Sequence, residues 1–191
     1  MTRRHRALGL ALLAASGAAL AHPGHADVSF ASGFAHPVGG LDHLLTMLAV
    51  GLYAAQQGGK ARWTLPLTFV LAMIGGALLG PLGVALPMVE GGVAASVAVL
   101  GVLLAIVVRP PLSIAAPLVG GFALFHGHAH VAEMGHQVLM AYVAGFAAAA
   151  AALHLAGFAL ARWIPVGAAG LRIKRLLGGA LAGTGLVLLG S

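Results

Sequence analysis

The sequence predicts an all-α, polytopic membrane protein, with six transmembrane helices behind a cleaved signal peptide and both mature ends outside the membrane. Three observations carry that expectation. Of 191 residues, 60% are hydrophobic and 7% are charged, against roughly 25% charged in an ordinary soluble domain. Apolar segments recur at the length a membrane span needs, about 20 predominantly apolar residues. The basic residues between them occupy alternate connections only. A chain of this length then forms one membrane domain, residues 22–191, with no sizeable domain outside the bilayer.

At the start, Arg3, Arg4 and Arg6 precede an apolar stretch from Ala7 to Leu20, and Ala19-Leu20-Ala21 supplies the small residues that a signal peptidase reads. Cleavage after Ala21 removes residues 1–21 and leaves His22 on the outer side. The alternative is a signal anchor that stays in place, against which the short apolar stretch and the Ala-Leu-Ala site both speak. The six segments follow at 36–57, 64–83, 87–108, 112–133, 138–160 and 173–190. Lys60 and Arg62 lie in the first connection, Arg109 in the third, and Arg162, Arg172, Lys174 and Arg175 in the fifth; the second and fourth contain neither Lys nor Arg. The positive-inside rule places the odd connections in the cytoplasm, which agrees with an outside N-terminus produced by cleavage. Glycine doublets at Gly75-Gly76, Gly91-Gly92, Gly120-Gly121 and Gly178-Gly179, with the alanine run Ala147 to Ala152, read as close helix contacts.

Composition also excludes functions. The formal charge of +6 sits between apolar runs, where it orients the chain, so no nucleic-acid role follows. Cysteine is absent, so disulfides, thiolate metal sites and thiol nucleophiles are excluded, and metal chemistry must use nitrogen and oxygen ligands. Histidine is the anomaly, with ten residues against four acidic ones. Ionisable groups inside a membrane are expensive and mark functional sites by default.

Two segments concentrate them. The first opens with His36-Pro37-Val38-Gly39-Gly40-Leu41-Asp42-His43. Pro37 suits a first helical turn, and a continuous helix projects His36 and His43 from nearly one face with Asp42 beside them. The fourth carries Phe125-His126-Gly127-His128-Ala129-His130-Val131-Ala132-Glu133. Here His126, His130 and Glu133 share one stripe, while His128 points elsewhere, towards a neighbouring helix or a role in orienting a ligand. The topology puts both motifs, and Glu90 at the start of the third segment, in the outer half. His154 lies deeper, either as a further station or as an interhelical hydrogen-bonding group, and His136 faces outside. His22 and His25 read as a metal-capturing tail or a solvated one. Imidazole with carboxylate suits zinc, copper, iron, nickel or cobalt. A transport site must strip hydration and still release its ion, and a negative-inside potential favours inward movement of a divalent cation by roughly 4 to 5 kcal/mol per 100 mV.

At these motifs the sequence resembles the HupE/UreJ family of nickel permeases, across the whole chain. The matching features are His22-Pro23-Gly24-His25 after the signal, His36-Pro37-x-x-Gly40-Leu41-Asp42-His43, and Phe125-His126-Gly127-x-Ala129-His130-x-x-Glu133. The resemblance implies transport of Ni2+, or of Co2+, from periplasm to cytoplasm across the bacterial inner membrane, with the ion as cargo, no resident cofactor, and supply to hydrogenase or urease. It implies metal contacts from His36, Asp42, His43, His126, His130 and Glu133, with His22, His25, Glu90, His128 and His154 as additional candidates. A periplasmic or outer-membrane metal-delivery partner would fit that role. Val131 departs from the glycine expected after His130, which bears on packing and selectivity. Two other functions compete. One is an intramembrane zinc hydrolase, with His126, His130 and His43 or His36 as ligands and Asp42 or Glu133 as base, although the His-Glu-x-x-His signature is lacking. The other is an accessory membrane subunit whose histidines bind haem or organise a complex; the clustered carboxylates favour a cation.

Overall fold

The computed structural model describes residues 29–131 and 139–190, apart from the side chains of residues 130, 131 and 139. Outside this range lie the signal peptide expected at 1–21, His22, His25, Glu133 and His136, together with the His130 side chain. The described residues form seven helices and no strand: α1 (Phe30–Gly39), α2 (Leu41–Gln57), α3 (Ala61–Leu79), α4 (Val89–Ala105), α5 (Leu112–Val131), α6 (Leu139–Trp163) and α7 (Ala168–Leu189). Each apolar segment of the sequence overlaps one of these helices or, for the first, two.

That division corrects the expectation of one helix running through His36 and His43. A reciprocal cap between Ser29 and Ser32 starts α1 at Phe30, so Pro37 falls in its last turns and not its first. The helix then stops at Gly40, whose backbone is extended (φ −102°, ψ 117°), and α2 leaves at 88° to α1. Pro37 contributes by withholding the N–H that its helix would use. At its far end α2 is closed by Gly58 at φ +72°, a conformation open to glycine at little cost, with the Gly58 N–H donating to the Ala54 carbonyl at 3.1 Å.

α2 is the central helix, packed on α6 and also touching α1, α3 and α4. Beside it, α3 pairs with α5 and α4 with α7. Glycine permits these approaches: a Cβ on Gly127 would run into the Met73 backbone, and one on Gly178 into Ala105. In two of the doublets, Gly76 and Gly178 lie against a neighbouring backbone while Gly75 and Gly179 do not, so half of each pair serves the packing that small residues allow.

The outer surface is apolar. Leu67, Leu71, Leu155, Leu186 and Val187 are all more than half exposed, a pattern that suits contact with lipid and would drive association in water. Among the described residues, three stretches are long and apolar enough to cross a membrane: Ala61–Leu79, Leu112–Ala129 and Met140–Trp163. The bent α1–α2 pair makes a fourth if taken as one broken span. α4 is a shorter apolar helix, and α7 carries Arg172, Lys174 and Arg175 near its start. This is a helical membrane protein.

Candidate metal site

The corner between α1 and α2 places His36 on the last turn of one helix and Asp42-His43 on the first turn of the next. The two histidine rings meet edge-on with centroids 6.3 Å apart. The sequence anticipated their proximity, but the bend achieves it where helical periodicity was expected to. One oxygen of Asp42 accepts two hydrogen bonds, from the His43 backbone N–H at 2.7 Å and from His43 Nδ1 at 2.8 Å. A carboxylate only accepts, so the Nδ1 proton is on the imidazole, and the neutral form of the ring has its lone pair on Nε2. This is the carboxylate–histidine pairing that orients metal ligands. Gly40 protects it: a Cβ there would lie 3.0 Å from Asp42 Oδ1 and 3.2 Å from His43 Nδ1. Asp42 also meets the positive end of the α2 dipole.

Facing this corner is α5. His126 is completely buried, and its ring stands 4.6 Å from that of His43 in a T-shaped contact. On the other side it meets Phe69 of α3 at 5.5 Å, and Phe69 in turn meets His154 of α6 at 5.0 Å. The rings therefore form a row: His36, His43, His126, Phe69, His154. His36, exposed at the outer end of the row, is flanked by Tyr142 at 5.9 Å and Phe146 at 6.3 Å. Among the described residues, His126 Nδ1 and both ring nitrogens of His154 are buried without a hydrogen-bond partner. Buried polar atoms are nearly always paired, so orphans in a row call for an explanation that packing does not give.

The remaining candidates separate from the row. His128 points to the α3–α4 connection, where its Nε2 accepts from the Leu86 N–H at 3.4 Å. Glu90 is exposed in the first turn of α4. Among the described residues, no three of the His, Asp and Glu side chains stand close enough together to hold a metal ion as they are. The structure thus brings His36, Asp42, His43 and His126 into one neighbourhood and sets His154 behind Phe69. The His130 side chain, Glu133, His22 and His25 lie outside the described residues.

Sequence reasoning missed the hydroxyls and rings that hold this row. Ser96 of α4 lies 2.9 Å from His126 Nε2 and 2.8 Å from Thr46 of α2, and both hydroxyl residues are fully buried. A signal was available: each is an isolated hydroxyl in an apolar helix, and Thr46 stands three residues beyond His43, on the same side of α2. Phe69, Tyr142 and Phe146 gave none, since aromatic residues are ordinary in apolar helices.

The profile of the family described as HupE / UreJ protein matches residues 10–188. The chain belongs to this family. It is also similar to Protein HupE of Rhizobium leguminosarum bv. viciae, with 49% identity over 182 residues that cover 94% of each chain. No solved structure matches. In this HupE/UreJ chain, the two histidine motifs that carried the resemblance thus lie on facing elements, α1–α2 and α5, and meet at His43 and His126.

Proposed function

We propose that this HupE/UreJ chain is a permease of the bacterial inner membrane that carries a divalent transition metal, nickel first and cobalt second, from periplasm to cytoplasm for hydrogenase or urease. The observation that supports it best is the contact of His43 with His126 at 4.6 Å, with Asp42 fixing the His43 tautomer. Two neutral imidazoles and a carboxylate suit these ions, and the geometry is incomplete enough to release as well as bind. In this reading the part-exposed Asp42 and the exposed His36 meet the cation first. His43 and His126 receive it next, and His130 and Glu133 of the same family motif complete the shell. Phe69 then separates His126 from His154, so its ring must move for the ion to pass inward. His154 lies beneath an apolar surface hollow of about 290 Å³ that Arg62, Trp63 and Phe158 share with the lipid-facing Leu67 and Leu155. A six-span arrangement with both ends outside puts Arg62 on the cytoplasmic side, as the alternating basic connections require. Protons compete with metal for imidazole, so uptake should fall as pH is lowered through the histidine range.

The test is uptake of radioactive nickel and cobalt by cells expressing the protein, beside His43→Ala and His126→Ala variants at matched membrane levels. Nickel uptake that drops to background in both variants is expected, with cobalt as a weaker competitor. Absence of uptake in the unaltered protein, together with zinc retained through purification, would overturn the permease and favour a hydrolase, because a catalytic zinc persists whereas a cargo ion exchanges.

A further inference from the structure

The hydroxyl of Ser96 touches three groups. Its oxygen lies 2.6 Å from the Val93 carbonyl, 2.9 Å from His126 Nε2 and 2.8 Å from the Thr46 hydroxyl. A serine hydroxyl has one proton and two lone pairs. The Val93 carbonyl has no proton to give, so at 2.6 Å the serine proton must lie on that line. The two lone pairs then accept, one from the Thr46 O–H and one from His126, which must present an N–H at Nε2. A neutral imidazole protonated at Nε2 has its lone pair on Nδ1. That atom is the buried His126 nitrogen without a hydrogen-bond partner among the described residues. The opposite tautomer would leave a buried N–H at Nδ1 unsatisfied among the described residues and set two acceptors, the Val93 carbonyl and His126 Nε2, to compete for the single Ser96 proton.

We propose that Ser96 is a positioning residue for metal binding: together with Thr46 and the Val93 carbonyl it locks His126 as the Nε2–H tautomer, so that His126 binds the cation through Nδ1. His43, held at Nδ1 by Asp42, offers Nε2. The two facing imidazoles therefore present opposite ring nitrogens to one ion, each fixed by a different helix: Asp42 of α2 for His43, Ser96 of α4 for His126. The site is consequently assembled by α4, a helix on which the sequence places Glu90 as its one metal-ligand candidate. The role of the tautomer in transport rests on the permease reading; the tautomer itself does not.

The experiment has one arm without metal and one with it. In metal-free purified protein labelled with nitrogen-15 in histidine, with the His126 signals assigned by their loss in His126→Asn, the spectrum should show Nε2 bonded to hydrogen and Nδ1 not. Ser96→Ala should return His126 to a mixture of tautomers, and Ser96→Thr, which keeps the hydroxyl, should restore the single form. In the transport arm, Ser96→Ala should raise the KM for nickel by about tenfold to hundredfold, the range for losing a group that orients a metal ligand. Its maximal rate at matched expression should fall far less, and Ser96→Thr should recover most of the KM. A proton found on Nδ1, or a Ser96→Ala protein with unchanged tautomer and unchanged KM, overturns the proposal. If the protein imports no nickel while the spectrum shows the Ser96-dependent Nε2–H form, the permease reading fails and the tautomer lock stands. If nickel is imported and His126 carries its proton on Nδ1, the outcome is reversed.

Discussion

The two ends of α2 meet opposite chemistry. At its start, Asp42 and His43 join His36 of α1 and His126 of α5, a set that offers lone pairs and negative charge. At its finish, Gln56 and Gln57 turn their amide N–H groups to the carbonyls of Leu103 and Pro110, at 3.1 Å each, and a cleft of about 370 Å³ opens beside them, lined by Arg62, Arg162 and Lys174. One end offers groups that attract a cation, whereas the other is lined by cationic side chains and tied down by neutral hydrogen bonds. The difference teaches that one helix can present two chemistries; in the proposed permease the first end captures the ion and the second anchors the helix beside the basic residues, which needs no metal ligand.

Removing the carboxylate should break this comparison most severely. Asp42→Ala leaves His43 without its Nδ1 acceptor, and nickel affinity is expected to fall about tenfold to hundredfold, measured as the KM of uptake. A neighbouring pair of glycines sharpens the point. In Gly40→Ala the new Cβ lies 3.0 Å from Asp42 Oδ1, so the Asp42–His43 pair must shift and affinity should drop by about tenfold. In Gly39→Ala the Cβ meets nothing within 4 Å, and uptake should stay at the unaltered level. Equal losses in both would mean that the corner needs flexible backbone, not clearance. At the other end, a double Arg162→Gln, Lys174→Gln change should leave nickel KM within about twofold, because charges remote from the site are screened; a large fall in affinity would show that the basic face takes part in binding. The smallest effect concerns Val107, which follows α4 with φ +55°. A left-handed β-branched residue is strained, so Val107→Gly should stabilise the protein by about 1 kcal/mol, read as a higher midpoint of thermal unfolding, without touching uptake.

The site divides along similar lines in how far the sequence disclosed it. Helical class, apolar lengths and the dense motifs follow from patterns within roughly twenty residues, which is the range over which hydropathy and motif spacing carry information. His36, Asp42, His43 and His126 were named on that basis, and they do lie together. The route differs: seven-residue spacing on one helix predicts that His36 aligns with His43, and the 88° corner at Gly40 brings them together instead. Local propensity gave no reason to end a helix between two motif residues, because Gly39-Gly40 inside an apolar run reads equally well as a packing contact.

What the sequence by itself determined is therefore the solvent the protein lives in, its helical class, its likeness to the HupE/UreJ family and the chemical types available for binding. These depend on composition and on order along the chain. Only the tertiary structure decided which nitrogens face which neighbours: that α4 lends Ser96 to a histidine of α5, that Phe69 of α3 stands between His126 and His154, and that His128 turns away to Leu86. Those relations join residues from 30 to 85 positions apart in the chain. They are set by how glycine-bearing helix faces approach one another, and the spacing of residues along one helix carries no record of that approach.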